Sequence, residues 1–128
     1  MKKLIPLLCL LASLSASAEW VYVTSNAEKD KTFFNPKTIG VYENYRKAWV
    51  LVNFAQPQPV ETLSASSKST YYKFDCAGSR FAVIAELTTS ELGGEGKILK
   101  KVSASEDVWT TAISNDPLKA AMEAVCSK

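Results

Sequence analysis

Two hydrophobic periods divide this sequence unequally. From Trp20 to Val102 the apolar residues alternate or form short runs, and a helical spacing appears only once, after Asp116. Side chains alternate across a strand with period two and recur at 3.6 residues on a helix. Trp20–Thr24 (WVYVT) is aromatic and β-branched, as strands are, and Thr32–Phe34 is a brief extended piece closed by the turn signal Asn35-Pro36. Ala48–Ala55 is apolar on both faces, with Trp49 and Leu51 on one side and Val50, Val52 and Phe54 on the other. That is the pattern of a central, covered strand. Gln56-Pro57-Gln58-Pro59 is expected to stop it, because proline has no N–H for the ladder.

The second half of the strand region alternates more cleanly. Ser64–Ser69 reads as a loop or as the polar start of a strand. Thr70, Tyr72, Phe74 and Cys76 then share one face, and Ser69, Tyr71, Lys73 and Asp75 the other. A hairpin about Ala77–Ser79 leads into Phe81–Leu87, with Phe81, Val83, Ala85 and Leu87 expected on one face. Gly93, Gly94 and Gly96 mark the next turn, and Lys97–Val102 reads as an edge strand whose Lys97, Lys100 and Lys101 discourage further pairing. Asp116 is an N-cap with Pro117 at the first helical position, and Leu118, Ala121, Met122 and Val125 form one stripe. A helix of two to three turns needs a sheet to pack on. The expectation is an α+β fold: an antiparallel sheet of about six strands with one C-terminal helix packed on it.

The N-terminus is patterned differently. Met1-Lys2-Lys3 is basic, Leu4–Leu14 is apolar except for Pro6 and Ser13, and Ala16-Ser17-Ala18 has a small-x-small cleavage pattern. This reads as a signal peptide over 1–18 followed by a single domain over 19–128. The apolar run is too short to span a bilayer, and no transmembrane segment is expected after it. Leu8 before Cys9 does not fit a lipid-attachment site, so Cys9 is expected to leave with the signal. Removing Lys2 and Lys3 from the 15 basic residues leaves 13, equal to the 13 acidic ones. A chain without positive excess is a poor nucleic-acid binder.

The chain has no histidine. That excludes Ser-His-Asp and Cys-His catalysis and imidazole-based zinc sites; no metal and no cofactor is expected. The thirteen acids leave two-carboxylate hydrolysis open by count alone, with no pair marked by its neighbours. Beyond the signal only Cys76 and Cys126 remain. In an oxidising compartment they are expected to pair and staple the helix to the sheet, closing a loop of about 50 residues worth about 4 kcal/mol in the chain-entropy account.

Several of these pieces recur in a fixed order. They are Trp20, Thr32-Phe-Phe-Asn-Pro-Lys-Thr-Ile39, Trp49 in AWVLVNF, Ser67-Lys-Ser-Thr-Tyr-Tyr-Lys-Phe-Asp-Cys76, the Gly93–Gly96 turn, Trp109 and the last-turn Cys126. In these the sequence resembles the surface-adhesin protein E-like family over nearly all of 19–126. It departs at Ala112-Ile-Ser-Asn-Asp-Pro117, where the family tends to carry a Pro-x-Ser-like turn. The resemblance implies about six antiparallel strands with a C-terminal helix tied to them. It also implies an exported protein of a Gram-negative bacterium, in the periplasm or on the outer-membrane surface. The family's naming member binds host matrix and plasma glycoproteins and can dimerise, so the implied partner is a protein or glycoprotein, with a homodimer in view.

Candidate partner-binding residues follow from the strand pattern. Tyr71 and Lys73 alternate away from Tyr72 and Phe74, and Lys97, Lys100 and Lys101 form a local basic cluster. The three tryptophans are read as packing residues, Tyr42 and Tyr45 as part of a hairpin loop, and Asp75 as a strand-end residue accepting backbone hydrogen bonds. The expected function is a non-enzymatic exported binding domain. The alternative is a periplasmic inhibitor or accessory protein inserting a loop, Glu91–Lys97 or Gln56–Ser69, into an enzyme's cleft.

Overall fold

The computed structural model describes residues 19–128; the proposed signal peptide and Cys9 lie outside them. The strands are β1 (Val21–Ser25), β2 (Lys31–Phe34), β3 (Gly40–Val41), β4 (Arg46–Val60), β5 (Leu63–Asp75), β6 (Arg80–Thr89), β7 (Ile98–Ser103) and β8 (Thr110–Thr111), followed by the helix α1 (Pro117–Cys126). They form one antiparallel sheet in the order β1-β2-β4-β5-β6-β7, with β3 also on β4 and β8 also on β6. The six-stranded path is the one the alternation implies, and the two-residue strands β3 and β8 were too short to leave a period.

The Phe34-Asn-Pro-Lys-Thr38 motif makes the corner between β2 and β3. Asn35 is buried, and its Oδ1 accepts the Lys37 N–H at 3.0 Å, capping a single 3-10 turn over Pro36–Thr38. Thr38 Oγ1 donates to the Asn35 carbonyl at 2.7 Å and accepts the Trp49 N–H at 3.1 Å. The corner is thereby pinned to the central strand.

One face of the sheet carries α1. Phe34, Ala48, Val50 and Phe74 from the strands meet Ala121, Met122 and Val125 from the helix, and Tyr72, Phe81 and Leu118 border this core. Asp116 caps the helix through the Leu118 N–H at 3.0 Å, with Pro117 at its start. At the other end the Arg46 guanidinium donates to the Val125 carbonyl at 2.9 Å, where a cation complements the negative end of the helix. The Cys76–Cys126 disulfide closes the same end, with Cα atoms 5.9 Å apart.

Two features depart from the sequence pattern. The Gln56–Pro59 segment does not stop β4, which runs on to Val60 and turns back through Glu61, at positive φ, into β5. The register slips between Asn53 and Gln58, and only β4 and β5 pair beyond that point. With no third strand alongside, Pro57 and Pro59 need no donor on their outer side, which is why this edge tolerates them. The Ala55 N–H, the last donor beside β2, is taken by Asp30 Oδ1 at 2.8 Å.

The second departure lies in β6. Val83 pairs with Tyr72 but Ala85 pairs with Tyr71, so Ile84 is bulged. A one-residue bulge reverses every later side chain. Phe81 and Val83 therefore share the helix side with Phe74 and Tyr72, while Ala85 and Leu87 stand on the opposite face.

Candidate functional site

The face opposite the helix is built from cross-strand rows. One row runs Tyr22, Phe33, Leu51, Ser69, Leu87 and Lys101 across six strands. The next holds Trp49, Tyr71, Ala85 and Ser103, and the third Lys47, Lys73 and Ala82. The surface is thus aromatic and aliphatic in its middle and basic at one side.

Two loops cover it in part. The β6–β7 connection folds back over the first row and is held by a polar knot. Ser67 Oγ donates to the Glu91 carbonyl at 2.6 Å and accepts the Gly94 N–H at 2.9 Å, and it shares a 2.8 Å hydrogen bond with Thr89 Oγ1. One hydroxyl donor and two acceptor sites are then all used. Gly93 N–H donates to Asn53 Oδ1 at 2.8 Å. Beneath this loop Leu51 is 1% exposed and Ser69 7%. At the other side Asp107, from the segment before β8, reaches Lys73 Nζ at 2.8 Å.

Trp49 and Tyr71 occupy the strip between these covers. Their rings stack with centroids 5.0 Å apart at 18°, and both are half-buried. Neither belongs to the helix-side core. The core packing expected of the three tryptophans is corrected by the structure: Trp49 is half-buried in a stack on the open face, and none of the three is among the buried core residues. Tyr22, 54% exposed, meets Phe33 edge-on at 5.7 Å. Lys47 lies over the Tyr42 ring at 5.2 Å and Lys73 over the Tyr45 ring at 4.8 Å, while the two tyrosines stack at 4.9 Å. The hydrogen bond from Lys73 to Asp107 raises its pKa.

The sequence-derived candidates divide here. Tyr71 and Lys73 stand on this face as the alternation implies, but each is already engaged. Lys97, Lys100 and Lys101 are exposed on or beside the edge strand β7. They do not make one patch, because consecutive Lys100 and Lys101 pair with Thr88 and Leu87 on opposite faces. Cys76 and Cys126 form the disulfide. Asp75 Oδ1 accepts the Gly78 N–H at 2.9 Å and Oδ2 binds Arg80 at 2.8 Å, so it orders the β5–β6 turn. These bonds hold its carboxyl below the usual range, the Gly78 N–H contributing most. Trp49, Phe33 and Tyr22 were missed as surface residues, because alternation gives the face of a side chain but not what covers it.

Of the two loops that could enter a partner's cleft, the structure extends one. Glu91–Lys97 lies against the sheet, whereas Ala55–Pro59 and Glu61–Ser64 are exposed at the end of the β4–β5 hairpin. Among the described residues no helix is long and apolar enough to cross a membrane.

A family model for surface-adhesin protein E matches residues 20–127. A structure of Haemophilus influenzae protein E superimposes with a TM-score of 0.62 at 14% identity, covering 88% of this chain and 87% of that one. Its crystal form II gives 0.64 at 14% identity, over 88% and 91%. Protein E from non-typeable Haemophilus influenzae gives 0.60 at 14% identity, over 88% and 78%. At that identity the superpositions speak for the fold. No curated protein matches the sequence.

Proposed function

Because this chain belongs to the surface-adhesin protein E family, we propose that it is an exported, non-enzymatic recognition domain that binds a protein or glycoprotein of the host matrix or plasma. The observation that carries the choice of surface is the Trp49–Tyr71 stack, half-buried between two loops on the sheet face that the helix leaves free. Aromatic side chains ringed by partly covering groups supply most of the energy of protein interfaces. The Lys47 and Lys73 row beside them adds positive charge, which steers an acidic partner. Under this proposal the domain acts by surface complementarity, and it stands on the outer face of the cell. Dimerisation, through the β1 or β7 edge or through this face, belongs to the same reading and is tested by light scattering.

The experiment is capture. Purified 19–128 protein is incubated with matrix and plasma glycoproteins and, separately, with periplasmic extract. A Tyr71→Ala variant, which opens the stack without touching the core, should lower capture of a host glycoprotein about tenfold, the scale of one interface anchor. Equal capture by both proteins would remove the face from the proposal. Labelling of intact cells decides between the outer surface and the periplasm.

A second reading, an inhibitor or accessory protein of the periplasm, is favoured by one observation, the exposed β4–β5 hairpin end. It predicts capture of a bacterial enzyme that is lost when Gln56–Ser64 is shortened and is unaffected by Tyr71→Ala.

A further inference from the structure

A cleft lies beside the Tyr42 and Tyr45 rings, at the end of the sheet where α1 finishes. It has a volume of about 560 Å³ and is lined by the β3–β4 turn, the β5–β6 turn and Trp109. Cavities of roughly 300–1,000 Å³ are the size range of small-ligand sites.

Its walls are fixed by contacts that leave polar groups over. Tyr42 N–H donates to the Tyr45 carbonyl at 2.9 Å, closing the turn, and the two rings stack. Gly40 lets the Tyr42 ring fold back, since a Cβ there would stand 3.0 Å from Cε1. On the opposite wall the Arg80 guanidinium lies 5.1 Å from the Trp109 ring centroid and gives Nε and Nη2 to Asp75. The disulfide ties this turn to the helix.

Arg46 is the lining group that structure does not fully use. It is half-buried, gives one N–H to the Val125 carbonyl, and has no carboxylate within ion-pair distance among the described residues. Its other guanidinium donors remain, and so do the side chains of Glu43 and Asn44. Aromatic rings offer faces to the C–H side of a sugar ring, and planar amide, carboxylate and guanidinium groups match its hydroxyls. A guanidinium without a carboxylate partner pairs in a fork with an incoming one.

We propose that this cleft is a binding site for a carboxylated saccharide, its ring against Trp109 and its carboxylate on Arg46. The inference deepens the recognition reading above, on which it rests for a source of ligand. The same chemistry occurs in sialic-acid-terminated host glycans and in muramyl sugars of the bacterial cell wall whose lactyl carboxylate has been freed from the peptide stem by amide hydrolysis.

The test is titration of the oxidised 19–128 protein with 3′-sialyllactose, with a muramyl disaccharide and with lactose, read by ligand-observed NMR and tryptophan fluorescence. Saturable binding of either carboxylated sugar, with lactose at least tenfold weaker, is the expected result. Trp109→Ala and Arg46→Lys should each weaken it about tenfold, the scale of one charge-assisted hydrogen bond. Thermal melts confirm that each variant is folded. Exposed Glu43 supplies a check that folding cannot confuse, because Glu43→Gln should tighten the carboxylated sugar and leave lactose unchanged. Tyr71→Ala, outside the cleft lining, should leave saccharide binding intact.

No saturable binding of either acid sugar, equal binding of lactose, or no response to Glu43→Gln would overturn the proposal. Preference for the sialoside assigns a host source, and preference for the muramyl sugar a cell-wall one. Muramyl binding without capture of any host glycoprotein would sustain the cleft and sink the adhesin reading. Capture that is blind to sialidase and to Arg46→Lys, with no sugar bound, would do the reverse.

Discussion

Gly93 and Gly94 offer a paired test of how the β6–β7 loop covers the sheet. Both sit at positive φ, +76° and +75°, and both donate a backbone hydrogen bond to the sheet. A side chain in that region costs roughly 1–2 kcal/mol, so alanine at either position carries this common term. Their surroundings differ. A Cβ on Gly93 has its nearest neighbour at 3.8 Å, the Cγ of Glu95, whereas one on Gly94 would stand 2.8 Å from Ser69 Oγ and 3.7 Å from Leu51 Cδ1. Ser69 is 7% exposed and has little room to withdraw. Gly94→Ala must therefore lift the loop, adding an overpacking cost of about 1–3 kcal/mol and about 1 kcal/mol for weakening the bond to Ser67. Urea unfolding of the oxidised protein should show a loss of about 1–2 kcal/mol for Gly93→Ala and about 3–6 kcal/mol for Gly94→Ala. Ser69→Ala should return more than about 0.5 kcal/mol in the Gly94→Ala background and couple with Gly93→Ala by less than that. Equal losses at the two glycines, or no coupling between 94 and 69, would refute the placement of the loop over Leu51 and Ser69.

Replacing Cys76 and Cys126 together by serine should lower stability by about 4 kcal/mol, from the 50-residue separation they close, as read by thermal and urea unfolding against the oxidised protein. Asp116→Ala removes the acceptor of the Leu118 N–H and should cost about 1 kcal/mol, measured in the same unfolding assay. The folded Asp75 carboxyl is held below its unfolded value, so its contribution is present above that unfolded value and is lost as pH falls through the folded one. Carboxyl NMR should place its titration below the ordinary aspartate value, and Asp75→Asn should flatten the acid limb of stability. Burial pushes the Tyr72 phenol up to about 12, so absorbance titration should show a tyrosine ionising well above the ordinary phenol value, a step that Tyr72→Phe removes.

The fold class, the helix with its Asp116 cap and the face assignment of β5 are legible in the chain alone. Each of these rests on a local period or a local hydrogen bond, and the structure keeps them: Tyr72 and Phe74 face the helix, and Tyr71 and Lys73 face away. The cysteine pair is legible there too, since only two such residues follow the proposed signal. Alternation fails where it is interrupted by something local sequence does not encode. The bulge at Ile84 moves Ala85 and Leu87 to the other face, and Pro57 and Pro59 sit within a strand because no third strand flanks them there. Both outcomes depend on what lies beside the strand. The same holds for the surfaces. That Lys100 and Lys101 diverge, that Gly94 shields Ser69, and that Arg46, Arg80 and Trp109 meet around one cleft are facts of long-range pairing. A residue's chemistry is written in the chain, but its neighbours, and hence whether its charge or ring is left free, are set only when distant strands come together.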